Sequence, residues 1–250
     1  MFSNTSSEDK YTFRREAVFI LLAGLFVGSL AMLNILGLSR LIDLSFNVNG
    51  TRVPFMVFVG VLPYPITFLC TDFISELYGR RRANMVVWVG LLMNGWVLFI
   101  LWFAGKLPES PQMNSDAFFR IRELTFGATA SSMIAYLTAQ FVDVHIFHFL
   151  KKLTKGKHLW LRNNVSTLTS QLIDSIAVVL ITYYGAKAIE LHPDTHVFSF
   201  LIMLIASNYM FKMTSALLDT IPFYLGVKWL SKYLNIDPLK EYHQEKYEKD

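Results

Sequence analysis

NMVVWVGLLMNGWVLFILWFA, running from Asn84 to Ala104, contains no ionisable side chain. It is about as long as the ~20 residues an α-helix needs to cross a hydrocarbon core. Arg80, Arg81 and Arg82 precede it and Lys106 follows. A helix on the surface of a soluble core would show a polar stripe at a 3.6-residue period. This stretch is apolar all round apart from Asn84 and Asn94, so it reads as a transmembrane helix.

The rest of the chain repeats the pattern. Further apolar runs lie at Val18–Leu38, Val53–Tyr78, Phe126–Leu150, Val165–Ile189 and Val197–Val227. Hydrophobic residues make up 53% of the 250, mean hydropathy is +0.39 and charged residues are 17%, against about 25% in soluble domains. The expected fold is all-α: a polytopic integral membrane protein of six transmembrane helices. The expected organisation is an amino-terminal cytoplasmic segment over 1–17, a six-helix transmembrane domain over 18–230 and a polar cytoplasmic tail over 231–250. The first apolar run is too long for a signal peptide and reads as a retained helix.

Lysine and arginine set the orientation. The amino-terminal segment, the loops after the second and fourth runs and the tail hold 16 of them, and the other three loops hold 6. Cytoplasmic loops carry the excess, which puts both termini in the cytoplasm, in agreement with an even number of spans. The expected location is the cell membrane, the inner membrane in a bacterium. Net charge is +4, but the basic residues sit between apolar runs, so no nucleic acid is expected as a partner. The bilayer is one partner, and a bundle this small suits a homodimer.

The second run contains Pro54, Pro63 and Pro65. Pro63 and Pro65 remove two backbone donors near mid-membrane, so that span is expected to break there. A break in lipid must face protein or water, and broken helices commonly border solute sites in transporters. The last run is long, and Pro222 is a second place to tilt or break.

Ionisable and amide side chains inside the spans are the costly feature. Asp72, Glu76, Asp143, Asp174, Lys212 and Asp219 all fall within them, with Asn94, Gln140, Gln171 and Asn208. A charge at mid-bilayer costs a few kcal/mol, and such residues usually line pathways or sites. Gln140 and Asp143 are i,i+3, as are Gln171 and Asp174, while Asn208 and Lys212 are i,i+4, so each pair shares a helix face. Lys212 can pair with Asp174 or Asp143, and amides can glue helices together. One lysine cannot neutralise several acids, however, and a hydrated cavity holding a solute explains the set more economically. Phe68, Phe147 and Tyr209 stand at heights suited to stacking on a flat solute.

Other chemistry finds no support. Cys70 is the single cysteine, which leaves no disulfide within the chain and no cysteine metal cage. There is no glycine-rich phosphate loop, and the serines have no general base at a signature spacing. His145 and His148 are i,i+3 without a third ligand. No metal, cofactor or catalytic residue is expected, and an intramembrane enzyme or a scaffold is the weaker alternative to a transporter.

Four stretches carry a family resemblance. They are Pro63-Tyr64-Pro65-Ile66-Thr67-Phe68-Leu69-Cys70-Thr71-Asp72, ending in Leu77-Tyr78-Gly79; Gln140-Phe141-Val142-Asp143-Val144-His145-Ile146-Phe147; Leu159-Trp160-Leu161-Arg162-Asn163-Asn164-Val165-Ser166-Thr167, leading to Asp174-Ser175; and Tyr209-Met210-Phe211-Lys212. In these the chain resembles the queuosine precursor transporter family, also called the vitamin uptake transporter family. The resemblance implies a six-helix importer of 7-cyano- or 7-aminomethyl-7-deazaguanine, bases used to make the tRNA nucleoside queuosine. Another purine-like or vitamin-like solute is the alternative. A deazaguanine offers adjacent N–H donors beside a carbonyl. Carboxylate, amide, lysine and aromatic side chains match those groups.

Overall fold

The computed structural model describes residues 7–110, 112, 114–154, 159–187, 189, 191, 193 and 195–236. Five long helices dominate: α1 (Ser7–Leu36), α2 (Tyr64–Ala104), α3 (Asp116–Leu153), α4 (Leu159–Leu180) and α5 (Val197–Leu234). Four segments among the described residues are long and apolar enough to cross a membrane: Asp9–Leu36, Arg81–Ala104, Leu168–Gly185 and Val197–Leu234. On α2, Trp88, Leu92, Trp96 and Phe99 are exposed. So large an apolar face would be a liability in water and is the normal surface in lipid. The chain is a helical, multi-pass membrane protein.

Two expectations change at the second apolar run. Its first part is extended as far as Phe58 and then makes a single 3₁₀ turn, Val59–Val61, and α2 begins only at Tyr64. Pro63 stands just before that helix and Pro65 in its first turn, where no intrahelical N–H bond is lost. The break in α2 falls instead at Gly79, with φ 81 and ψ 165, a region essentially open to glycine alone. The prolines therefore start a helix, and the glycine interrupts it. Pro222 lies inside α5, which runs through it. The amino-terminal helix begins at Ser7, so much of the expected cytoplasmic segment is the first turns of α1. Residues 237–250 of the expected tail lie outside the described residues.

Residues 41–58 form a hairpin. Strand β1 (Leu41–Asp43) pairs antiparallel with β4 (Met56–Phe58), and β2 (Phe46–Val48) with β3 (Thr51–Val53). Asn49 (φ 49) and Gly50 (φ 79) make the turn, both positive as a type I′ hairpin requires. Pro54 leaves a gap in the donors between the two ladders, where Ser45 Oγ accepts the Phe55 N–H at 3.0 Å.

The chain divides into two compact units. Unit 1 takes residues 7–33, 62–100 and 215–236, and unit 2 the described residues of 34–61 and 101–214. Unit 1 has an apolar core that includes Leu22, Phe26, Phe73, Ile74, Leu77 and Leu234. Its charges gather at one end. Arg15 donates from Nε to the Leu234 carbonyl at 3.0 Å and from Nη2 to the Asn235 carbonyl at 2.6 Å. Those are among the carbonyls a helix end leaves unpaired, and a cation there also suits the dipole. Tyr78 donates its hydroxyl to the Arg15 carbonyl at 2.9 Å, and Arg82 pairs with Glu16 at 3.2 Å.

Unit 2 is built on α3 and α4, joined by a short connection and packed along their length. Their buried positions are mostly small: Ala128, Ser131, Ala135 and Ala139 on α3, and Ser166, Ser170 and Ser175 on α4. Small residues allow helices in lipid to approach closely. A second core of Phe58, Val179, Leu201 and Leu204 joins the inner end of the hairpin to α4 and α5. After α4 the chain widens into one π-turn, Ile181–Gly185.

Candidate functional site

Unit 2 holds a buried charge pair. Lys212 Nζ, on α5, binds Asp174 Oδ2, on α4. The lysine is only 9% exposed, and the carboxylate side chain 18%. An ammonium so enclosed is stable only beside an anion. Asp174, one of the two acids the sequence offered it, is thus a partner.

The surrounding groups follow from helix periodicity. Asn208 lies one turn before Lys212 and is buried, and its Nδ2 donates to the Leu204 carbonyl at 2.8 Å. Gln171 is half-buried one turn before Asp174, and its carbonyl accepts the Ser175 hydroxyl at 2.9 Å. Tyr209, half-buried, follows Asn208 on α5. The hairpin reaches the same part of α5, since the Met56 N–H donates to Ser207 Oγ at 3.2 Å. The structure thus brings Asp174, Lys212, Asn208 and Gln171 into one unit.

Positions 140, 143 and 147 are helical and belong to α3. The side chains of Gln140, Asp143 and Phe147, like those over 159–164, lie outside the described part of the structure. His145 is described, with its ring Nδ1 at 2.8 Å from the Phe141 carbonyl. Among the described residues no three His, Cys, Asp or Glu side chains come together as metal ligands.

The remaining candidates belong to unit 1. Asp72 is exposed on α2, on the side away from buried Cys70, Phe73, Ile74 and Leu77. It lies close enough to Asp219 for the two charges to interact. Asn94 is half-buried on the second part of α2. Phe68 is exposed and packs its ring on Tyr64, with centroids 4.4 Å apart.

The sequence reading missed two features. One is the hairpin, although Asn49-Gly50 between alternating apolar residues is a strong hairpin signal. The other is the hydroxyl content of unit 2, where Thr125, Thr129, Ser131 and Thr182 are buried together with Asn34. Such small neutral residues give no warning in a hydropathy profile.

The region that contains the ion pair, its amides and the hairpin's inner end is also the region that known proteins share. Residues 58–226 match the profile of the family described as "Putative vitamin uptake transporter". The chain belongs to that family. Relatives of this chain include the "Probable queuosine precursor transporter" of Bacillus subtilis (strain 168), 28% identical over 162 residues, which are 61% of this chain and 69% of the relative. The "Queuosine precursor transporter" of Escherichia coli (strain K12) is 24% identical over 168 residues, 66% of this chain and 70% of that protein. No solved structure matches the chain. The buried acid, ammonium and amides are therefore those of a transporter and not of an enzyme.

Proposed function

We propose that the protein imports a 7-deazaguanine precursor of queuosine, as the 7-cyano or the 7-aminomethyl base. The observation that carries this is the Asp174–Lys212 pair with Asn208 and Gln171, enclosed within the family-matched region. The names of the relatives supply the substrate class. In this reading six spans cross the membrane: α1, the two parts of α2 on either side of Gly79, α3, α4 and α5. Residues 18–230 are the transport domain and both termini are cytoplasmic, as the lysine and arginine distribution favours.

Within unit 2, Asp143 takes the ring and amino N–H donors of the base, Gln140 orients it, and Lys212 or Asn208 donates to its carbonyl. Tyr209 stacks on the flat face, with Phe147 nearby in sequence height. Losing one charge-assisted hydrogen bond costs roughly 1.5–3 kcal/mol, or about a ten- to hundredfold in affinity.

The test is uptake of a labelled deazaguanine by cells that cannot synthesise it. The chain should restore uptake and queuosine in tRNA. Asp143→Asn should abolish uptake at low substrate while leaving the yield of folded protein unchanged. Uptake that is absent from wild-type protein in the membrane would overturn the substrate. Unchanged affinity in Asp143→Asn would remove that residue from the site.

A further inference from the structure

Three side chains of unit 2 are enclosed and bond to nothing. The atoms are Asn34 Oδ1, Ser131 Oγ and Thr182 Oγ1, on residues 5%, 1% and 0% exposed. Other hydroxyls on the same helices behave differently. Thr125, Thr138, Thr169 and Ser175 each donate to the carbonyl four residues earlier. That bond satisfies a helix hydroxyl without any tertiary partner. Ser131 and Thr182 forgo it. A buried polar group left unpaired in a native protein calls for an explanation such as water or a solute.

Their positions align. A Cβ built at Gly127 would stand 2.9 Å from the Ala186 Cβ, which sets these positions of α3 and the end of the π-turn side by side. Counting in opposite directions along the two helices brings position 131 level with 182, to within a residue. Asn34 belongs to the same stretch, because the neighbouring Ile35 carbonyl lies 3.5 Å from Thr125 Oγ1. Continued further, the count brings Ala139 level with Asp174. In the other direction the seam ends at a cavity of about 500 Å³ lined by Arg40, Arg120, Phe58 and Leu124 among others. From Leu124 to Ala139 is about 22 Å along α3.

We propose that the α3–α4 seam of unit 2, closed in this structure, opens into a route for water and solute that joins the Arg40–Arg120 cavity to the Asp174–Lys212 pair. The unpaired oxygens of Asn34, Ser131 and Thr182 are its water and solute contacts. The small side chains along the seam give the route its width when it opens. Only the identity of the traveller, a small polar base, rests on the proposed function.

The test uses the full chain with Cys70→Ser, which removes the single native thiol, carrying Ser131→Cys, Thr182→Cys or the lipid-facing control Leu137→Cys. A small, membrane-impermeant, anionic thiosulfonate suits a mouth lined by guanidinium groups. During uptake it should label Ser131→Cys and Thr182→Cys at least tenfold faster than Leu137→Cys, and a saturating deazaguanine should slow that labelling severalfold. No labelling of either site in transporting protein overturns the route. Labelling that the base does not slow keeps the route and overturns the base as its traveller. Thr182→Val covers the case where a cysteine variant fails to fold. On the route, valine lowers uptake severalfold; a raised Tm with unchanged uptake overturns the proposal.

Discussion

The two units solve the same problem with opposite chemistry. Unit 1 packs a mainly apolar core around Phe73, Ile74 and Leu77, with only small hydroxyls such as Thr67, Ser215 and Ser231 among its buried polar groups, and gathers Arg15, Glu16 and Arg82 at a helix end. Unit 2 places an ammonium, a carboxylate, an amide and several hydroxyls in its interior. In lipid, apolar packing offers no hydrophobic gain between helices, so van der Waals fit holds unit 1 together. Unit 2 loses some of that fit wherever it spends interior volume on polar groups. A membrane protein keeps such an interior for a solute, which is why the candidate site is assigned to unit 2.

The strongest way to break this comparison is Lys212→Met. It keeps bulk and strands the Asp174 carboxylate, which should cost about 3–5 kcal/mol if the pair is buried. Folded yield and uptake should both collapse, and Asp174→Asn in the same chain should recover the yield but not the uptake. A stable, transporting Lys212→Met protein would show that unit 2 does not depend on its charge pair.

Leu77→Ala probes the other interior. Leu77 is fully buried, and its truncation should cost about 2 kcal/mol, near the low end of the range for such changes, because lipid supplies packing loss rather than transfer. Melting temperature should fall while affinity for the base in the folded fraction stays unchanged. A tenfold weaker affinity in well-folded Leu77→Ala would mean that unit 1 is not merely structural.

The smallest effect concerns the hairpin of unit 2. Hydrogen bonds from the Ser45 hydroxyl and backbone N–H, together with the Arg52 guanidinium, hold the Asp43 carboxyl below its usual range. A depressed carboxylate stabilises the folded form above its unfolded pKa of about 3.9. That contribution is lost as pH falls through the folded value. The melting difference between wild type and Asp43→Asn should therefore be largest at pH 6 and shrink steadily as pH falls below the unfolded pKa. A difference that does not change as pH falls would assign the role of Asp43 to shape rather than charge.

How much of this was legible in the sequence depends on the range of the interaction. Apolar runs long enough to span lipid, the uneven share of lysine and arginine among the connecting loops, and the faces shared by Asn208 with Lys212 and Gln171 with Asp174 are local properties. They need only chain composition and the 3.6-residue turn. Even the choice facing Lys212 was narrowed to two acids, because few anions were available at its height. The error at the second run was also local. Prolines were read as breaking a helix that had not yet begun, while Gly79, free to adopt φ 81, took the break, and Asn49-Gly50 turned the preceding segment into a hairpin.

Tertiary structure decided what depends on two segments meeting. It brought Asp174 to Lys212, placed Met56 against Ser207, and left Ser131 and Thr182 without partners while equivalent hydroxyls bonded their own helices. By itself the sequence determined that this chain lives in a membrane and which costly side chains it carries there, since solvent preference is a property of each segment alone. Which of those side chains share an interior depended on helix register and close approach. Both are set by the mutual fit of distant surfaces, here Gly127 against Ala186 and α3 against α4, and no single segment encodes them.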